Sequence, residues 1–216
     1  MTTEILGRKI GNIGYGLLGK DDLTLSVLVL ISRVGLTWNS MIPSEEQAFA
    51  AMRAALATNC NFWNGGDFYG TPENNSLTLL KKYYAKYPED ADKVVLNIKG
   101  ACRPNLEPDG SPEFVKQCVA NCLQMLGERG RIDMFECARR DPNVPLEQTL
   151  SALEELVNEG KIGGVALSEV SAATIREAAK ITKIVAVEVE LSLWSTEPLT
   201  NGITKACAEL KIPIIA

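Results

Sequence analysis

No histidine occurs anywhere in the 216 residues. Cys118 and Cys122, four apart on an expected helix, therefore have no imidazole with which to share a metal, and no second cysteine pair stands at ligand spacing. The six cysteines are expected to be ordinary buried thiols, with no metal bound. Gly-x-Gly-x-x-Gly is also missing, which removes support for a Rossmann-type dinucleotide fold. Long apolar runs are absent: the nearly apolar stretch Leu23–Ile31 falls well short of the ~20 residues that a membrane span needs. Positive charge is in deficit, and a net charge of −5 argues against nucleic acid or an anionic membrane as partner. Met1-Thr-Thr-Glu has neither the basic start nor the apolar stretch of a secretory leader, so a cytoplasmic location with reduced thiols is expected. What remains is an ordinary globular composition, 46% hydrophobic and 23% charged, long enough for one domain with a sizeable core.

From residue 44 onward, helical and strand patterns alternate. Pro43-Ser44-Glu-Glu-Gln47 carries a capping box, followed by an apolar face of Ala48, Phe49, Met52 and Leu56. Helices are then expected over 74–86, from Ser111-Pro112 onward, over 145–158, from the Ser171 cap through Ala179, and over 203–210. Between them lie short apolar runs starting near 61, 94, 132, 162, 184 and 212, which recur at about the length of a βαβ repeat. A further strand is expected near Ile10–Tyr15. Strict alternation of this kind specifies a parallel sheet with helices outside it. The expected fold is α/β, a (β/α)8 TIM-type barrel that is incomplete, with about seven strands and its last βα units missing. The early runs deliver polar or ionisable residues at their C-terminal ends, where barrel chemistry sits.

The strings that carry chemistry are Phe-Trp-Asn-Gly-Gly-Asp-Phe-Tyr-Gly (62–70), Val-Val-Leu-Asn-Ile-Lys (94–99), Ile-Asp-Met-Phe-Glu-Cys-Ala-Arg (132–139), Asp-Pro-Asn-Val-Pro (141–145), Gly-Lys-Ile (160–162) and Leu-Ser-Glu-Val-Ser (167–171). Together they resemble the aldo-keto reductases, and more closely the fungal pyridoxal reductase branch, over almost the whole chain except residues 20–34. The resemblance implies NADPH-dependent reduction of a small-molecule aldehyde or ketone, with pyridoxal to pyridoxine the most specific candidate. Tyr69 matches the proton donor and Lys99 the ammonium that lowers its pKa from the ordinary ~10. The family's aspartate falls on Asn64, which can hydrogen-bond to Lys99 but cannot neutralise it, and its histidine falls on Ala138. Ser168 matches the residue that holds the nicotinamide carboxamide. Glu169 and Glu188 stand where many relatives carry Asn and Gln, and Thr37 and Trp38 resemble the first loop that touches cofactor and substrate.

The same resemblance sets expectations for organisation. Residues 1–216 read as a single partial barrel domain ending ahead of the eighth strand, the pyrophosphate loop and the segment that grips the 2′-phosphate. Residues 20–34 interrupt an otherwise continuous family string, and read as a translated intron or a loop insertion. A working reductase, a non-catalytic cofactor-binding or regulatory subunit, and an inactive fragment all remain open on these residues. Oligomeric state is not legible.

Overall fold

The computed structural model describes residues 3–17 and 43–216. Thr37, Trp38 and the segment 20–34 therefore lie outside the described residues. The chain opens with an antiparallel hairpin, β1 (Thr3–Ile5) and β2 (Arg8–Ile10). It then lays down seven parallel strands in simple sequence order: β3 (Tyr15–Gly16), β4 (Phe62–Gly66), β5 (Val95–Gly100), β6 (Met134–Cys137), β7 (Val165–Ser168), β8 (Ile184–Glu188) and β9 (Ile214–Ile215). Helices α1 (Glu45–Ala57), α2 (Ser76–Lys86), α3 (Pro112–Leu126), α4 (Leu146–Asn158), α5 (Ala172–Ile181) and α6 (Ile203–Leu210) alternate with them. The result is a curled half-barrel of parallel strands backed by helices.

Local chemistry explains where the helices begin. Ser44 Oγ accepts from the Gln47 amide while Gln47 Oε1 accepts from the Ser44 amide, which closes the expected box on α1. Asn75 does the same for α2, accepting from the Leu77 and Thr78 amides while Thr78 Oγ1 accepts from the Asn75 amide. The helix expected from residue 74 therefore starts at Ser76, one residue past its cap. Pro112 opens α3 at its first turn, and Gly127 at φ 73° ends it.

Alternation along each strand separates two cores. Trp63, Leu96, Ile98, Phe135, Val165, Leu167 and Val187 face outward and pack under the helices. Phe62, Val95, Met134, Ala166 and Ala186 face inward at the start of their strands and join Ile5 and Ile10 of the hairpin in a second apolar cluster. The hairpin is thus a floor beneath the half-barrel, fastened by Arg8, which donates to Val94 O at 2.7 Å and to Asp133 Oδ1 at 3.0 Å.

Two expectations are corrected here. The strand anticipated near Ile10–Tyr15 is split, because Ile10 pairs with Thr3 in the hairpin and only Tyr15–Gly16 joins the parallel sheet. The cause is a two-residue turn, Leu6-Gly7, with both φ values positive (52° and 74°), the geometry that matches strand twist in hairpins. The strand anticipated from Ile132 begins at Met134, since the Asp133 carboxylate accepts from the Leu96 amide and from Arg8 and Arg131.

Candidate active site

One step up each strand from the apolar floor, the inward positions become polar. Asn64 on β4 pairs in register with Asn97 on β5, Lys99 with Glu136 on β6, and Ser168 on β7 with Glu188 on β8. Side chains from β4, β5, β6 and β8 meet near the C-terminal ends, the usual location of chemistry in such barrels, with Ser168 of β7 in register beside Glu188.

Lys99 is the centre. Its ammonium donates to Glu188 Oε1 and lies 3.4 Å from Glu136 Oε1, and its side chain is only 10% exposed. Burial alone would lower the Lys99 pKa, but the two carboxylates outweigh it and hold the group firmly protonated. Glu136 is fully buried, and this, with the neighbouring Glu188 charge, pushes its pKa far above the carboxylate range. Glu136 and Glu188 thus compete for the one ammonium, and Glu188 makes the closer contact. Two acids share one base. Asn97 Nδ2 donates to Glu136 Oε1 at 3.0 Å, and Asn64 Nδ2 donates to Glu188 Oε2.

Asn64 departs from its expected contact. Its amide N–H binds the Glu188 carboxylate rather than Lys99, because an ammonium already served by two carboxyl groups leaves a better acceptor than donor within reach. Glu188, expected as a cofactor contact, lies against Lys99 and Asn64. Glu169 follows β7 with φ 51°, and its carboxylate accepts from the Glu190 amide at 2.7 Å. Glu136 was not singled out at all. Its signal lay in strand alternation, which puts Met134 and Glu136 on the same inward face.

Tyr69 reaches this cluster from the turn after β4. Its backbone is braced by bonds from the Tyr69 amide to Gly66 O at 3.3 Å and from the Ser76 amide to Tyr69 O at 3.2 Å. The phenol is buried, which raises its pKa to about 12, while the adjacent Lys99 ammonium pulls the other way by charge and hydrogen bonding. Gly66 makes room for the ring: a Cβ there would stand 2.8 Å from Tyr69 Cδ1. Ser168 Oγ and Asn97 Oδ1 are buried with no hydrogen-bond partner among the described residues. Unmet buried polar atoms carry a desolvation cost and mark positions where an amide or hydroxyl ligand would be accepted.

Residues 33–216 match the aldo/keto reductase family. The chain belongs to the aldo/keto reductase family. It is 43% identical over 212 residues to "Probable pyridoxal reductase 2" of Schizosaccharomyces pombe, covering 97% of this chain and 59% of that protein. It is 39% identical over 196 residues to "Putative pyridoxal reductase" of Saccharomyces cerevisiae, covering 84% of this chain and 56% of that one. The chain thus spans less than two thirds of the length of either relative. Among solved structures, a thermostable aldo-keto reductase, Tm1743, crystallised with the inhibitor epalrestat, superposes with a TM-score of 0.78 at 18% identity. That match covers 100% of this chain and 72% of the Tm1743 chain, and it shows the shared barrel fold. Among the described residues of this aldo/keto reductase, no helix is long and apolar enough to cross a membrane.

Proposed function

We propose that this aldo/keto reductase reduces an aldehyde or ketone to the alcohol, with NADPH as reductant and pyridoxal the most specific substrate candidate. The observation that carries the reading is the meeting of the Tyr69 phenol and the Lys99 ammonium at one mouth of the half-barrel. Tyr69 is the proton donor. With a pKa near 12 it stays loaded at neutral pH, and its proton passes to the carbonyl oxygen as that oxygen acquires alkoxide character. Lys99 stabilises the phenolate left behind. Glu188 holds Lys99 in place and Asn64 holds Glu188, so the ammonium is oriented by a bonded chain rather than by water.

A reduced nicotinamide, when bound, supplies the hydride. The residues present fit such a group: Ser168 Oγ is a buried, unpartnered hydroxyl on the same rim, suited to a carboxamide. Thr37 and Trp38 are proposed on resemblance as further contacts, and Glu169 as a rim residue that shapes the same edge.

The test is NADPH oxidation with pyridoxal by the full chain, alongside Tyr69→Phe. Turnover that disappears in the variant supports the reading. Turnover that survives Tyr69→Phe removes the proton donor from it. NADPH binding without turnover on a panel of aldehydes replaces it with a regulatory cofactor-binding role.

A further inference from the structure

A second cluster lies behind the Tyr69 turn, on the helix side of the sheet. Cys118 and Cys122 stand one turn apart on the buried face of α3, and Asp67 comes down on them from the turn after β4. The Cys118 thiol donates to Asp67 Oδ2 at 2.9 Å, and the two sulfurs and a carboxylate oxygen all lie within 4.8 Å of one another. Asp67 Oδ1 is buried without a partner among the described residues. Gly100 leaves the space for the first sulfur: a Cβ there would stand 2.8 Å from Cys118 Sγ.

We propose that Asp67, Cys118 and Cys122 form a three-ligand site for a thiophilic divalent cation of the zinc class, with the fourth position open.

The geometry fits that ion. Zn–S bonds of about 2.3 Å in a tetrahedron separate two sulfurs by about 3.7 Å, and sulfur from a carboxylate oxygen by slightly less. The three ligand atoms lie within 4.8 Å of one another, close enough to reach these separations, and the 2.9 Å Cys118–Asp67 hydrogen bond opens by under about 1 Å when its proton is replaced by the cation. Burial pushes the Asp67 carboxyl pKa up, and the hydrogen bond with Cys118, together with burial, pushes the Cys122 thiol up. Binding therefore forms two metal–sulfur bonds and one metal–oxygen bond, breaks two S–H bonds, and releases those protons to solvent. Replacing the Cys118 thiol proton frees Asp67 Oδ2 as the metal-facing oxygen. Histidine is not required, since Cys and carboxylate suffice. A bound cation would tie the turn that carries Tyr69 to α3.

The experiment is anaerobic titration of the reduced full chain with Co2+, followed by Zn2+ displacement. The expected result is one Co2+ per chain, a thiolate-to-cobalt absorption band, release of about two protons per cation near neutral pH, and loss of the band on adding Zn2+. Cys122→Ser should abolish the two-thiolate band. Asp67→Asn, which keeps the shape of the cluster, should retain the band with at least tenfold weaker affinity. A cooperative melt of each variant verifies that it is folded. No band from folded wild-type protein overturns the site. So does a band of unchanged intensity and affinity in both variants, which would place the cobalt on other thiols. None of these readouts involves turnover, so failure here leaves the reductase reading untouched.

Discussion

The sharing of Lys99 between two acids makes a quantitative prediction about stability. At 3.4 Å and an effective dielectric of about 20, a charged Glu136 would attract Lys99 by about 5 kcal/mol. Burial and the Glu188 charge, which raise the Glu136 pKa, work against that attraction in the wild type. In Glu188→Gln burial of Glu136 remains but the Glu188 repulsion that also raises its pKa is gone, so Glu136 shifts toward the ionised form and takes over as counterion. The net cost is expected to be only about 1–2 kcal/mol, well below the 3–5 kcal/mol typical of breaking a buried pair. In Glu136→Gln Lys99 keeps Glu188 as its counterion, and the cost is expected to stay under about 1 kcal/mol. The double variant leaves a buried ammonium with no anion and should lose the full 3–5 kcal/mol, about 1–3 more than the sum of the singles. Urea unfolding of the four proteins at neutral pH measures the cycle. Costs that add to within about 0.5 kcal/mol would refute the shared-counterion argument.

Three further outcomes follow from the same geometry. Folded Glu136 retains its proton above pH 4.5, where the unfolded side chain has lost it, so its contribution to stability is fully present below 4.5 and drains as pH rises. The stability of Glu136→Gln relative to wild type should therefore climb with pH across the neutral range, which melts at a series of pH values will show. The Tyr69 phenol holds its proton to about 12 against an ordinary value of 10.0, so Tyr69→Phe should remove a loss of stability confined to that alkaline interval, read by denaturation across it. Gly100→Ala drives a methyl to 2.7 Å from Phe135 Cζ and 2.8 Å from Cys118 Sγ, and should cost about 1–3 kcal/mol by chemical denaturation.

The layered repeat was legible in the chain because every unit carries its own punctuation. Ser44 with Gln47, Pro112 and the Ser171 cap start helices at the expected places, and short apolar runs between them leave strands as the economical reading. Tyr69 and Lys99 were legible only through family strings, since a tyrosine in a turn and a lysine at a strand end are ordinary by themselves. Two things escaped. The hairpin turn uses Leu6 at positive φ, where Asn or Gly would have announced it. The contact of Lys99 with Glu188 joins residues 89 apart across three strand steps, a proximity created by curling the sheet and absent from any local pattern.

The Arg8 clasp has a consequence for biosynthesis. Its acceptors, Val94 O and Asp133 Oδ1, lie 86 and 125 positions further along the chain. A nascent polypeptide must therefore carry this hairpin without both of these acceptors until Asp133 has emerged. Loop-closure entropy over such separations slows assembly, and exposed Ile5 and Ile10 are surfaces that a chaperone would meet first.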